Sequence, residues 1–139
     1  MMVLLEGKEK MVEKNIPKQS ATLTQIVDFY LHSETFRRLS SSSQKDYETH
    51  LQATVLTQVE GKALGGYRCK NLKVRHITQA YEQWLNVGIR TANYRRSVLS
   101  AAWKHAMRHD VMIHNPVSLV QTVAEKPRRV YWSREQVSL

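Results

Sequence analysis

Apolar side chains recur three and four positions apart over four stretches of this chain, with polar residues filling the opposite side of each helical wheel. In the first stretch Leu23, Ile26, Val27, Tyr30 and Leu31 form one stripe. It follows a Thr22-x-x-Gln25 pair of the capping-box type, whose hydroxyl and amide satisfy orphan N–H groups at a helix start. This predicts a helix from Thr22 to near Arg38. Serines 40–43 offer N-caps to a second helix, in which Tyr47, Leu51 and Val55 step by four as far as about Val59. Gln44, Lys45, Glu48 and Gln52 take its outer face. Gly61, Gly65 and Gly66 then break the period, and the stretch to His76 reads as turns, with Leu72 and Val74 as a short extended piece. Ile77-Thr78 predicts the entry to a third helix through Tyr81, Trp84 and Leu85 that stops at Gly88. The fourth, from Thr91 to about His109, puts Ala92, Leu99, Ala102, Trp103 and Ala106 on one side and Arg95, Ser97, Lys104 and Arg108 elsewhere. Asn115-Pro116 ends it, and Val117 to Val123 is expected to form a last short helix.

The expected fold is therefore all-α, a compact bundle of four to five helices with little or no strand. Residues 1–20 are Lys/Glu-rich without a sustained period and read as a flexible leader. Residues 21–123 carry the bundle. Residues 124–139 read as a linker and a new helix start, capped between Ser133 and Gln136. With 139 residues, 42% of them apolar and 24% charged, the chain has enough apolar material for one core and is not of disordered composition. The single cysteine, Cys69, cannot form an internal disulfide, which fits a reducing cytoplasm. The apolar start Met1–Leu5 is interrupted by Glu6 and Lys8, too early for a signal-peptide core, and no stretch reaches the length of a membrane span.

Charge sharpens the picture. The net charge is +9, and between Gly61 and His109 ten Lys/Arg face one acidic residue, Glu82, while the remaining eleven basic and eleven acidic residues cancel. A local field of one sign implies a partner of the other. A membrane-surface helix would need its apolar side free, whereas here that side is required for the core. Arg, Asn, Ser, Thr and Tyr accompany the charge, so double-stranded DNA is the expected partner, held along one continuous cationic stripe.

Several residues invite other chemistry. His105-Ala-Met-Arg108 imitates a phosphate-activating His-x-x-Arg box with Tyr131 downstream, but it lies inside the fourth helix, so no catalytic residue is expected. His105 and His109 at i, i+4 lack an intervening Glu and a third ligand, and Cys69 with His76 is too sparse for zinc, so no metal or other cofactor is expected and the two histidines read as a surface pair. Tyr81, Trp84 and Trp103 are assigned to the core rather than to base stacking.

In order, Thr22-Leu23, Phe29-Tyr30, Ser42-Ser43, Tyr47…Leu51, Ile77-Thr78, Thr91-x-Asn93, Leu99, Trp103, Ala106 and Asn115-Pro116 resemble the core-binding (SAM-like, N-terminal) domain of phage-integrase-type tyrosine recombinases. Arg128-Arg129…Ser133-Arg-Glu135 is similar to that family's linker into its catalytic domain. Arg96 stands where the family has an aliphatic residue, and the connection 61–74 is longer than usual. The resemblance implies a non-catalytic half of a C-shaped clamp on duplex DNA, within a bacterial or phage-encoded recombinase. Its partners would be the separate catalytic domain and further protomers. Expected DNA contacts are Ser42, Ser43 and Lys45 on the second helix, Lys73 and Arg75 as loop phosphate anchors, and Arg90, Thr91, Asn93, Tyr94, Arg95, Ser97 and Lys104 on the fourth. Two other readings stay open: a stand-alone helical DNA-binding regulator, and a basic helical module for an acidic protein.

Overall fold

Four of the five α-helices among the described residues begin where a side chain takes over the work of a missing turn, and the longest starts at Gly88 without one. In the computed structural model, which describes residues 20–112 and 114–125, Thr22 accepts a hydrogen bond from Gln25 N (3.4 Å) and its own N–H donates to Gln25 Oε1 (2.9 Å), opening helix α1, Leu23–Leu31. Residues 1–19 of the expected leader and 126–139 of the linker, including Arg128, Arg129, Tyr131, Ser133, Glu135 and Gln136, lie outside the described residues. Helix α1 does not run to Arg38. Ser33 donates to Tyr30 O (2.6 Å) and accepts from Phe36 N (3.1 Å), closing one helix and capping α2, Glu34–Arg37.

Ser40 caps α3, Ser41–Leu56, by accepting from Ser43 N (3.1 Å). The helix stops three residues short of the expected end because the chain turns into a two-stranded antiparallel hairpin, β1 Gln58–Val59 and β2 Lys62–Ala63. Glu60 and Gly61 form its loop, both at positive φ (53° and 82°), the backbone twist that tight hairpin turns require. Two 3₁₀ turns, Leu64–Gly66 and Cys69–Asn71, follow. Val74 is helical rather than extended. It opens α4, Val74–Leu85, because His76 Nδ1 accepts from Lys73 N (2.9 Å) and so makes Lys73, rather than Thr78, the cap. Helix α5, Ile89–Arg108, is the longest, and Pro116–Leu119 makes only a 3₁₀ turn.

The fold is mostly helical with one small sheet among the described residues, an all-α bundle as expected. Helix α5 lies against α1, α3 and α4, and its inner side supplies Ala92, Val98, Leu99, Ala102, Trp103 and Ala106 to the core. Leu23, Ile26, Leu51, Leu64, Leu72 and Ile77 meet it from the other elements with no residual exposure. Trp103 and Trp84 are buried as assigned, and each directs its indole N–H to a partner, His114 O (2.8 Å) and Thr57 Oγ1 (3.0 Å). Among the described residues no helix is long and apolar enough to cross a membrane.

Candidate nucleic-acid interface

The cations of the basic run fall into separate groups rather than one stripe. Lys62 and Arg68 border a cavity beside the start of α1, where Lys62 Nζ lies 5.2 Å from the Tyr67 ring and Arg68 donates to Ser20 O (3.0 Å). Arg96, Lys104 and Arg108 line a groove of about 360 Å³ near the other end of α1. The expectation of a continuous strip is thus corrected, since a helix of nine residues separates the two groups. The stripe failed because the residues between Arg75 and Arg90 sit on α4 and the α4–α5 corner, where the core claims Ile77, Ala80, Tyr81 and Trp84.

Two of the expected DNA contacts already have carboxylate partners. Arg75 Nε donates to Glu60 Oε2 (3.1 Å), which also accepts from Gln79 Nε2 (2.8 Å), and these hydrogen bonds hold the Glu60 carboxyl below its ordinary pKa. Arg90 Nε pairs with Glu125 Oε2 at 3.1 Å. Lys73, exposed at the start of α4, borders neither cavity described above.

Arg95 is turned inward. It sits three residues after Ala92 and four before Leu99, on the core side of α5, with its guanidinium 5.4 Å from the Trp84 ring centre and its Nε donating to His50 Nδ1 (3.2 Å). Burial lowers the Arg95 pKa, and burial together with Arg95 lowers that of His50, which keeps this imidazole a neutral acceptor. Asn93 is likewise occupied. Its Oδ1 accepts from the Tyr81 hydroxyl and its Nδ2 donates to Val123 O (2.9 Å), while Val123 N donates back to the Tyr81 oxygen (2.8 Å). Thr91 is half-buried beside it. Tyr94 remains partly exposed, edge-on to Tyr47 and His50 with ring centres 6.1 and 4.8 Å away.

What the fold does bring together is the outer face of α5. Ser97 and Lys104 line the groove with Ser100, Ala101 and Arg108, spaced as one helical stripe, and Tyr30 and Thr35 close its flank from α1 and α2. Arg96 borders the same space, its Nη2 reaching Ser118 O at 3.4 Å and its buried Nε having no partner among the described residues. No carboxylate among the described residues is within ion-pair distance of Arg96, Lys104 or Arg108. A third surface depression, lined by Phe36, Ser41, Ser42, Gln44, Lys45 and Glu48, holds two of the expected contacts of α3, Ser42 and Lys45, while the half-buried Ser43 bonds back to Ser40.

Of the two histidines read as a surface pair, His109 is exposed and His105 is not, which corrects that half of the expectation. His105 is 3% exposed and packs on Phe29, Tyr30 and His109 at ring-centre distances of 5.0, 5.5 and 4.5 Å, with neither ring nitrogen hydrogen-bonded among the described residues. Burial first, then His109 and Arg108, push its pKa down to about 4. Cys69 is fully buried, which pushes its thiol up to about 12 and makes it a small apolar side chain. No group of three His, Cys, Asp or Glu among the described residues could hold a metal ion.

No protein-family model, curated protein or solved structure matches the chain. The chemistry of the groove therefore carries the functional argument.

Proposed function

We propose that this protein binds duplex DNA non-covalently through the outer face of α5, in the manner of the core-site-binding half of a tyrosine recombinase. The observation that supports the reading is the groove itself: three cationic side chains on its border, Arg96, Lys104 and Arg108, without a carboxylate partner among the described residues. Uncompensated like charges on one helix face destabilise a fold, and a polyphosphate neutralises them while releasing its own condensed cations. The ion pairs of Arg75 and Arg90 remove these residues from the first rank of contacts, and the inward turn of Arg95 gives it a packing role. Ser97, Lys104 and Arg108 take their place, with Ser42 and Lys45 as a second patch on α3.

Fluorescence anisotropy of the full chain with a labelled mixed-sequence duplex, repeated across a salt series, tests this. Three phosphate contacts give a log–log salt slope of about −2.7. Absence of duplex binding at low salt overturns the proposal, as does equal affinity for an acidic polypeptide such as polyglutamate.

A further inference from the structure

The groove beside α5 differs from an ordinary charged face in its floor and in one buried phenol. Ser97, Ser100 and Ala101 are small, so a ligand can approach the helix closely on the turns just before Lys104. Tyr30 is only 3% exposed, yet it lines the groove and its hydroxyl has no hydrogen-bond partner among the described residues. That oxygen is not sealed from solvent. A buried phenol is normally hydrogen-bonded, and an unfilled hydroxyl beside two cations is a donor awaiting an anionic oxygen. Burial first and the Tyr47 phenol second raise the Tyr30 pKa, so the group keeps its proton and can donate. The groove presents no flat aromatic face for a base to stack on, because the Tyr30 ring is packed against Phe36 and His105, 5.6 and 5.5 Å away.

We propose that this groove seats the phosphodiester backbone of the bound duplex, not its bases, with Lys104 and Arg108 neutralising the phosphates and the Tyr30 hydroxyl donating to a phosphate oxygen. The inference rests on the duplex-binding reading and extends it to Tyr30, which belongs to α1 rather than to the basic run. Such a seat fixes where the protein sits on the duplex and carries no direct sequence information.

The full chain and three variants are titrated with two labelled duplexes of unrelated sequence across a salt series, with thermal melts confirming folding. Lys104→Gln/Arg108→Gln is expected to reduce the magnitude of the salt slope by about 1.8, at 0.9 per contact, and to weaken binding to both duplexes by the same factor. Lys62→Gln/Lys70→Gln removes the same charge from exposed sites outside the groove and is expected to leave the slope near that of the parent chain. Tyr30→Phe keeps the ring and removes only the oxygen. It is expected to weaken both duplexes about fivefold with no change in slope, since a neutral donor releases no counterion. If both charge-matched doubles change the slope equally, or if the groove double alters the preference between the duplexes, the backbone seat is overturned while duplex binding stands. If Tyr30→Phe binds like the parent, the phenol's part is overturned. If the parent chain binds neither duplex, both proposals fall.

Discussion

His105 sits at the meeting of α1 and α5 with both ring nitrogens unbonded among the described residues, so its neutral form is part of the fold. Burial, helped by His109 and Arg108, lowers its pKa to about 4 from an ordinary 6.5. A base whose folded pKa is depressed contributes stability that is complete above pH 6.5 and is lost as the pH falls through about 4. The contribution is at most about 3 kcal/mol. Urea unfolding is expected to show stability declining over that window, with His50 and His76, also lowered by burial, adding to the slope. His105→Leu should flatten most of the decline. An unchanged pH profile in that variant would remove His105 from the account. At the same scale, Arg95→Ala is expected to lower the melting temperature by removing the guanidinium packed over Trp84 and bonded to His50, with little change in the salt slope of binding.

Among the elements, capping decides the boundaries. Ser40→Ala deletes the acceptor for Ser43 N and is expected to cost about 1 kcal/mol in urea unfolding. Gly65 is packed so closely that an added Cβ would come within 2.8 Å of Val55 Cβ and 3.0 Å of Val55 O, and would collide with the Thr24 hydroxyl that donates to Gly65 O. Gly65→Ala should therefore destabilise by about 1–3 kcal/mol, measured the same way, whereas Gly66→Ala meets only the flexible Lys62 side chain and should cost less. The apolar stripes of α1, α3 and α5 and the Thr22 cap were legible in the sequence, because period and cap chemistry agree there. The break at Ser33 was not, since no Gly or Pro marks it and Ser33 reads as an ordinary polar position on the wheel. The start of α4 was missed because His76, an unusual capping acceptor, replaces the Ser or Thr one looks for. The hairpin was missed because strands of two residues have no alternation to read. Arg95 shares a stripe with Leu99 and Ala102, so the wheel itself placed it inside, and its charge was given more weight than its position. Nothing linear points to Tyr30 or Thr35, which reach the groove of Lys104 across some seventy residues of chain.

At the level of the whole molecule, the excess charge of +9 does not act as one field. Glu60 and Glu125 neutralise Arg75 and Arg90 in the middle of the basic run, and α1 separates the groups around Lys62 and Lys104. Binding to duplex DNA should accordingly follow the groove cations rather than net charge. Adding two lysines at sites far from α5 is expected to change affinity less than twofold at physiological salt, where screening extends over about 8 Å. Equal gains from lysines placed anywhere would favour a diffuse attraction.

The triangle formed by Tyr81, Asn93 and the main chain of Val123 pins residues 120–125 across the seam of α4 and α5. That stretch thereby inherits the orientation of the bundle instead of swivelling on its own, much as a strut welded at one node takes the heading of its frame. A nitroxide attached at position 124 should tumble with the whole body, and Tyr81→Phe, by unfastening two of the three bonds, should let it wobble independently.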